Sequence, residues 1–405
     1  MTRKDYRIYR TCEADFDRAA AELADRAAAD GGTILRIVFF GYATDNDDHI
    51  ARRDTARRIC AERFGAEGPL VGFRAQKPLR SSLAAEATVL AEPSKIVRHE
   101  DYTVIDGREI VSGELQADLT LDIGRQADAV FRRMAEILAA EGFAATDIAR
   151  QWNYIERITR MAPEGQHYQM FNDARSRFYD RCEWPDGYPA ATGIGARTGG
   201  ASVMFDAVRE AETDIPIDNP LQVAAHAYSQ KVLIDRPENR GKTTPKFERA
   251  RYRADRGEAA IYISGTAAIR GEESCRSDIA EQTALTMDNI ETLVGGENLA
   301  RHGIAASDKP DYALLRVYIK RDGDAEEAER WMKENYPRTP TLYLSADICR
   351  EELLVEIEGI ARPKKIGCSP TAEECDSSPP RGVAANCRHR RAMSKFQDHK
   401  TQRPK

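Results

Sequence analysis

The chain has 405 residues, more than one ordinary hydrophobic core requires and enough for two or three compact units. Its composition, 41% hydrophobic and 31% charged, is that of a globular protein. With 60 basic and 66 acidic residues mixed along the chain and a net charge of −6, it has no global basic field for a nucleic-acid backbone, so an anionic small molecule would need a local cluster of Arg and Lys.

The opening MTRKDYRIYRTCEADFDR lacks the apolar centre of a signal peptide, and no apolar run is long enough to span a bilayer. The expectation is a cytoplasmic protein with neither a membrane nor a nucleic-acid partner. Next, DFDRAAAELADRAAAD predicts a helix, and TILRIVFFGYATDNDDHIARRDTARRICAERFGAEGPLVGFRA predicts strand, acidic turn, helix, turn and strand. VSGELQADLTLDIGRQADAVFRRMAEILAAEGF gives a strand and a long helix whose Ala127, Val130, Met134, Ile137 and Leu138 form one apolar stripe. The strand–helix–strand order returns from Asp147 through YPAATGIG. After IYISGTAAIRGEESCRSDIAEQTALTMDNIETLV it appears a third time, in YALLRVYIKRDGDAEEAERWMKENYPRTPTLYLSADI.

Three copies of one unit are therefore expected, each a mixed sheet backed by two helices, the first lacking the leading hairpin. A sheet covered on one face needs a partner for the other, which predicts an α/β (α+β) protein with three lobes closed into a pseudo-trimer and ligand clefts between them. The expected divisions are 1–97, 98–215 and 216–362, followed by a disordered tail over 363–405, where Pro, Ser, Cys and basic residues replace the hydrophobic periodicity. The eight cysteines show no CxxC pair and no zinc-site spacing, and the seven histidines are scattered, so reduced thiols and no metal are expected.

In ADICREELLVEIEGIA, alternation puts Leu354, Glu356 and Glu358 on one face of a strand. The plainer reading is a solvated edge face; the sharper one is a carboxylic acid at a cleft wall, kept neutral by desolvation and able to give a proton. Cys349 lies in the preceding turn, where Asp347 or Ser345 is a candidate cap for a short helical segment. Without a histidine partner in sequence it reads first as a small buried hydrophobe. Arginines interleave with aromatics in NYIERI (Tyr154, Arg157), YQMFNDARSRFY (Tyr168, Asn172, Arg175) and PKFERARYR (Lys246, Arg249). Gathered at a cleft, such residues suit a dicarboxylate, because guanidinium forks hold carboxylates in pairs of hydrogen bonds. YPAATGIGARTGG and ISGTAAIRGEES match no phosphate-loop pattern and read as turns where backbone N–H groups approach a ligand.

The last third resembles the YjgF/RidA unit (chorismate mutase-like), whose homotrimers bind small acids between subunits. NYIERI, YQMFNDARSRFY, YPAATGIG, NPLQVAAHAYS, PKFERA, ISGTAAIRGEES and ADICREELLVEIEG, in this order over residues 100–362, resemble the chorismatase family. That resemblance implies a cofactor-independent enzyme that removes the enolpyruvyl group of chorismate as pyruvate, with Glu356 as general acid. It also implies that Cys349 marks the members forming 3-hydroxybenzoate, where hydrolytic members carry a smaller residue. By motif position, Tyr154, Arg157, Tyr168, Arg175, Lys246, Gly265, Thr266 and Ala267 are the expected substrate-binding residues. A monomer is expected, with dimerisation as the alternative.

Other readings share the fold: a hydrolytic chorismatase giving a dihydroxycyclohexadiene carboxylate, mixed 3- and 4-hydroxybenzoate output, a RidA-type imine deaminase, or a non-catalytic binder of small acids. Glu358 has no assigned role in the sequence.

Overall fold

The computed structural model describes residues 1–229, 243–307 and 309–364. The residues beyond 364, which hold nearly all of the expected tail, lie outside the described residues.

Three sheets follow one another, each carrying the same four-stranded motif. In the first the order is Lys4–Thr11, Leu83–Leu90, Thr33–Phe40, Leu70–Arg74. In the second it is Glu109–Ser112, Ala201–Val208, Ile148–Glu156, Ala190–Ala196, and in the third Glu258–Ala267, Val355–Arg362, Asp311–Ile319, Thr341–Ser345. Each final pair is parallel and joined through a helix: Asn46–Phe64, His167–Tyr179 and Ala325–Asn335. This is the repeated strand–helix–strand unit of the sequence. The first sheet keeps its leading strand, Lys4–Thr11, but no hairpin extends it. In the second, Ile96–Arg98 and Tyr102–Ile105 extend the edge, and in the third Thr213–Ile217 and Ala250–Asp255 do so.

The helices preceding these units are Phe16–Ala29, Ile123–Ala140 and Ile279–Val294. In each, an aspartate (Asp15, Asp122, Asp278) accepts the backbone N–H three residues on, satisfying a donor the first turn leaves open. The predicted stripe of the second helix is buried, and with Phe131 and Phe171 it fills the core beneath its own sheet.

The opposite sheet faces meet in a core to which all three contribute. Val38 and Phe40 come from the first, Trp152, Tyr154, Ile194 and Met204 from the second, and Tyr318, Leu342 and Leu344 from the third. Ionic groups are threaded through this contact. Arg316 donates to both oxygens of Glu86, at 2.7 and 2.6 Å, and to Glu358 at 2.7 Å, so one guanidinium bridges the first and third sheets. Arg150 of the second sheet and Thr192 also donate to Glu358, and Tyr318 Oη does so at 2.7 Å. The Trp152 ring lies 5.0 to 5.4 Å from the guanidinium carbons of Arg36, Arg150 and Arg316. A buried charge without such partners costs several kcal/mol, on the order of 3–5 when one partner of a pair is removed, so these contacts fix how the sheets meet.

Candidate active site

Val355–Arg362 is an interior strand, paired with Glu258–Ala267 on one side and Asp311–Ile319 on the other. Glu356 and Glu358 are both buried. The solvated-edge reading of this face therefore fails, because alternation shows which residues share a face and only sheet stacking decides what covers it.

The two carboxyls meet different surroundings. Glu358 is enclosed by the donors named above; burial pushes its pKa up, but Arg150, Arg316, Thr192 and Tyr318 prevail and hold it below the usual carboxylate range. Glu356 has no hydrogen-bond or ion-pair partner among the described residues. Burial, reinforced by the nearby Glu358 charge, raises its pKa from 4.5 to about 8 against the weaker opposing pull of Arg150, Lys320 and Arg249. At neutral pH Glu356 is a buried, protonated acid beside a fixed anion.

It opens into a narrow cleft with about 70 Å³ of space. One wall comes from the second sheet and its helix (Tyr168, Asn172, Gly193) and the other from the third (Arg249, Gly265, Cys349). The space for Glu356 is made by a β-bulge: the register between Glu258–Ala267 and Val355–Arg362 slips between Ile263 and Thr266. There a Cβ on Gly265 would overlap Glu356 Oε1, so this position requires glycine. Gly193 plays a similar part under Tyr168, whose ring carbon would lie 3.0 Å from any Cβ added there.

Cys349 packs at the junction of two core clusters in a turn without a helical segment. Burial, with the Glu356 carboxyl nearby, raises its pKa to about 12, so it is a thiol and a poor nucleophile. Burial likewise pushes Tyr168 above the ordinary phenol range, keeping a hydroxyl donor in the cleft.

Two buried donors at the cleft, on Arg249 and Asn172, are unspent, and Arg350 stands beside them. Arg249 uses Nη2 on Val223 O, at 2.5 Å, and on Tyr228 Oη, at 2.6 Å, and leaves a buried Nε without a partner. Asn172 receives Arg175 Nη2 on its Oδ1 at 2.7 Å, which leaves its buried Nδ2 free. Arg350 donates to Glu272 O at 2.9 Å and Ser274 Oγ at 3.0 Å, and it lies over the Tyr228 ring. Neither Arg249 nor Arg350 has a carboxylate within 4.0 Å among the described residues. Buried donors without acceptors are expensive, so Arg249 Nε and Asn172 Nδ2 mark where an acceptor is wanted.

Of the expected binding residues, Tyr168, Gly265 and Ala267 line the cleft with Glu356 and Cys349. Arg175 stands one turn behind, acting through Asn172. The remaining four are elsewhere. Tyr154 is buried in the core between the sheets under Arg74, 4.2 Å from guanidinium carbon to ring centroid. Arg157, at a left-handed φ of 45°, lies in a separate recess with Lys320 and Asp347. Lys246 pairs with Asp180, while its neighbours Pro245 and Phe247 line the cleft. Thr266 donates to Ser264 O at 3.0 Å, facing away from Gly265 and Ala267 as successive strand residues do. The cations that line the cleft are Arg249 and Arg350, and neither Lys246 nor Arg157 lines it. PKFERARYR and the residue after Cys349 contained that signal, but neither pattern says which cation faces inward.

A three-sheet α+β fold with a neutral carboxylic acid and guanidinium donors in one cleft defines a cleft built for general-acid chemistry on a small anion. Residues 86–207 match the family described as Chorismatase FkbO/Hyg5-like, N-terminal. A 3-hydroxybenzoate synthase of Streptomyces hygroscopicus is 35% identical over 241 residues, which are 57% of this chain and 68% of that protein. A chorismatase of Streptomyces rapamycinicus is 33% identical over 243 residues, again 68% of its length. A crystal structure of a chorismatase superposes with a TM-score of 0.66 at 24% identity, covering 89% of this chain and 98% of the other. The chain belongs to the chorismatase family.

Proposed function

We propose that the protein cleaves the enolpyruvyl ether of chorismate, releasing pyruvate and 3-hydroxybenzoate. The observation that carries this is the protonated Glu356 in a cleft supplied with unspent guanidinium donors. An enol ether is cleaved by protonating its methylene carbon, and an acid with a pKa of about 8 still holds its proton at neutral pH while releasing it readily in the transition state.

Protonation by Glu356 gives an oxocarbenium ion flanked by the carboxylate just formed and by Glu358, both of which stabilise positive charge. Displacement within the ring then breaks the ether bond, and loss of a ring proton restores the acid and yields the aromatic product. Chorismate divides into hydroxybenzoate and pyruvate with no atom gained and no net oxidation, so the residues present suffice and no cofactor enters the balance. Arg249 and Arg350 would hold the two substrate carboxylates, with Tyr168 and Asn172 as neutral donors. Gly265 and Ala267 leave room for the ring, and Cys349 excludes water from the cation. If water entered instead, the product would be the diene diol. The name of the Streptomyces hygroscopicus relative, 3-hydroxybenzoate synthase, favours the aromatic outcome.

On this view the three repeats are RidA-like lobes in a pseudo-trimer, acting as a monomeric cytoplasmic enzyme, with the site between the second and third lobes. Incubation with chorismate, with pyruvate measured by coupled assay and the ring product by chromatography, tests the reading. No pyruvate above background refutes it, and diene diol as the main product refutes the assignment to 3-hydroxybenzoate.

A further inference from the structure

The cleft between the second and third sheets has a counterpart. Leu115 and Gln116 lie opposite Val203 and Ser202 as Thr266 and Ala267 lie opposite Ile357 and Glu356. Leu70–Arg74 of the first sheet takes the place of Ala190–Ala196. The first and second sheets therefore form a cleft from the same strand positions, with about 850 Å³ of space. Ser202 takes the register position of Glu356 and does not border this space, so no carboxylic acid is supplied from that place.

We propose that this counterpart is a second, non-catalytic ligand site for a small carboxylic acid bearing an apolar ring. Of the carboxylates along it, Glu100 is exposed to solvent and the other two are already occupied. Glu114, at the position of Gly265, accepts from Arg74 and from the Phe73 N–H at 3.1 Å, and Asp101 holds Arg133 through two bonds of 2.8 and 3.0 Å. Two cations are left over. Arg57 donates only to Val71 O, at 3.3 Å, and has no carboxylate within 4.0 Å among the described residues. Arg98 donates Nη2 to Ile34 O at 3.0 Å, reaches no carboxylate nearer than Glu67, at 4.0 Å, and its Nη1 is buried without a partner. Directly across the strand pair from Arg98 is Thr103, whose fully buried hydroxyl also lacks a partner and borders the cleft. A carboxylate at the Arg98–Thr103 pair satisfies both buried groups, with Arg57 an exposed cation of the same lining. Leu70, Leu115 and Val130 supply an apolar surface for a ring. Burial disfavours the charged form of Arg98, which an anion would offset.

The site is independent of the turnover proposed above, and its test does not use chorismate binding. Benzoate serves as the probe in calorimetric titrations of the full chain and of the variants Arg98→Ala and Thr103→Val. The expected result is a saturable benzoate site that weakens at least tenfold in Arg98→Ala and several-fold in Thr103→Val, while pyruvate release from chorismate is unchanged in both. Wild-type affinity in both variants, or no saturable benzoate binding to the wild type, overturns the proposal. Thr103→Val is nearly isosteric and decides the question even if Arg98→Ala does not fold.

Discussion

Holding Glu356 neutral has a cost in stability, and replacing it with glutamine measures that cost. The folded state keeps the proton up to about pH 8, whereas in the unfolded chain the carboxyl ionises near its ordinary value of 4.5. Between those pH values the folded state binds more protons than the unfolded one, so the Glu356 contribution is fully present below 4.5 and is lost as pH rises to about 8. Each pH step is worth ~1.4 kcal/mol, so the penalty is roughly 3 kcal/mol at pH 7 and levels off at ~5 kcal/mol above pH 8. Glutamine has nearly the same shape and no such dependence. In urea unfolding from pH 5 to pH 8, Glu356→Gln should therefore become progressively more stable than the wild type, while its turnover of chorismate falls to background. Comparing two proteins that differ at one residue cancels the other titrations. A stability difference that stays constant across this range, or a variant less stable than the wild type at pH 7, would show that Glu356 is not held neutral and would refute the general-acid reasoning.

The same protonation predicts a wild-type rate that declines as pH rises through 8, read from kcat against pH; a flat profile to pH 9 counts against Glu356 as the donor. Gly265→Ala places a methyl group on Glu356 Oε1, and because displacing a catalytic group by about 1 Å costs roughly 100-fold, kcat should fall by that order with the fold retained by circular dichroism. Arg249→Ala removes a charged donor worth about 1.5–3 kcal/mol, so KM for chorismate should rise roughly 10- to 150-fold. An unchanged KM removes Arg249 from binding. Cys349→Ala opens space for water beside the cation and should shift the products from hydroxybenzoate toward the diene diol; an unchanged product ratio excludes Cys349 from that choice.

Glu358 shows how one strand pattern yields two different acids. It shares a face with Glu356, yet Arg150, Arg316, Thr192 and Tyr318 donate to Glu358 and not to Glu356, and these residues lie more than 30 positions away along the chain. The alternation in LLVEIEGIA places both carboxyls on one face and says nothing of which one those donors enclose.

The repeat of strand, helix and strand, the apolar stripe over Ala127–Leu138 and the glycines of ISGTAAI are local patterns, and the sequence by itself determined them through helical period, strand alternation and turn chemistry. Ordered motifs also singled out Glu356, Cys349, Tyr168, Gly265 and Ala267, which line one cleft. Tertiary structure decided the direction in which the long cations point. Lys246 turns to Asp180 and Arg157 to a separate recess, while Arg249 and Arg350 face the cleft. Long flexible side chains take their direction from partners brought together by packing, and those partners are distant in sequence. The same packing stacks Val355–Arg362 inside a sheet against a second one, and that burial turns an ordinary glutamate into an acid that keeps its proton at neutral pH.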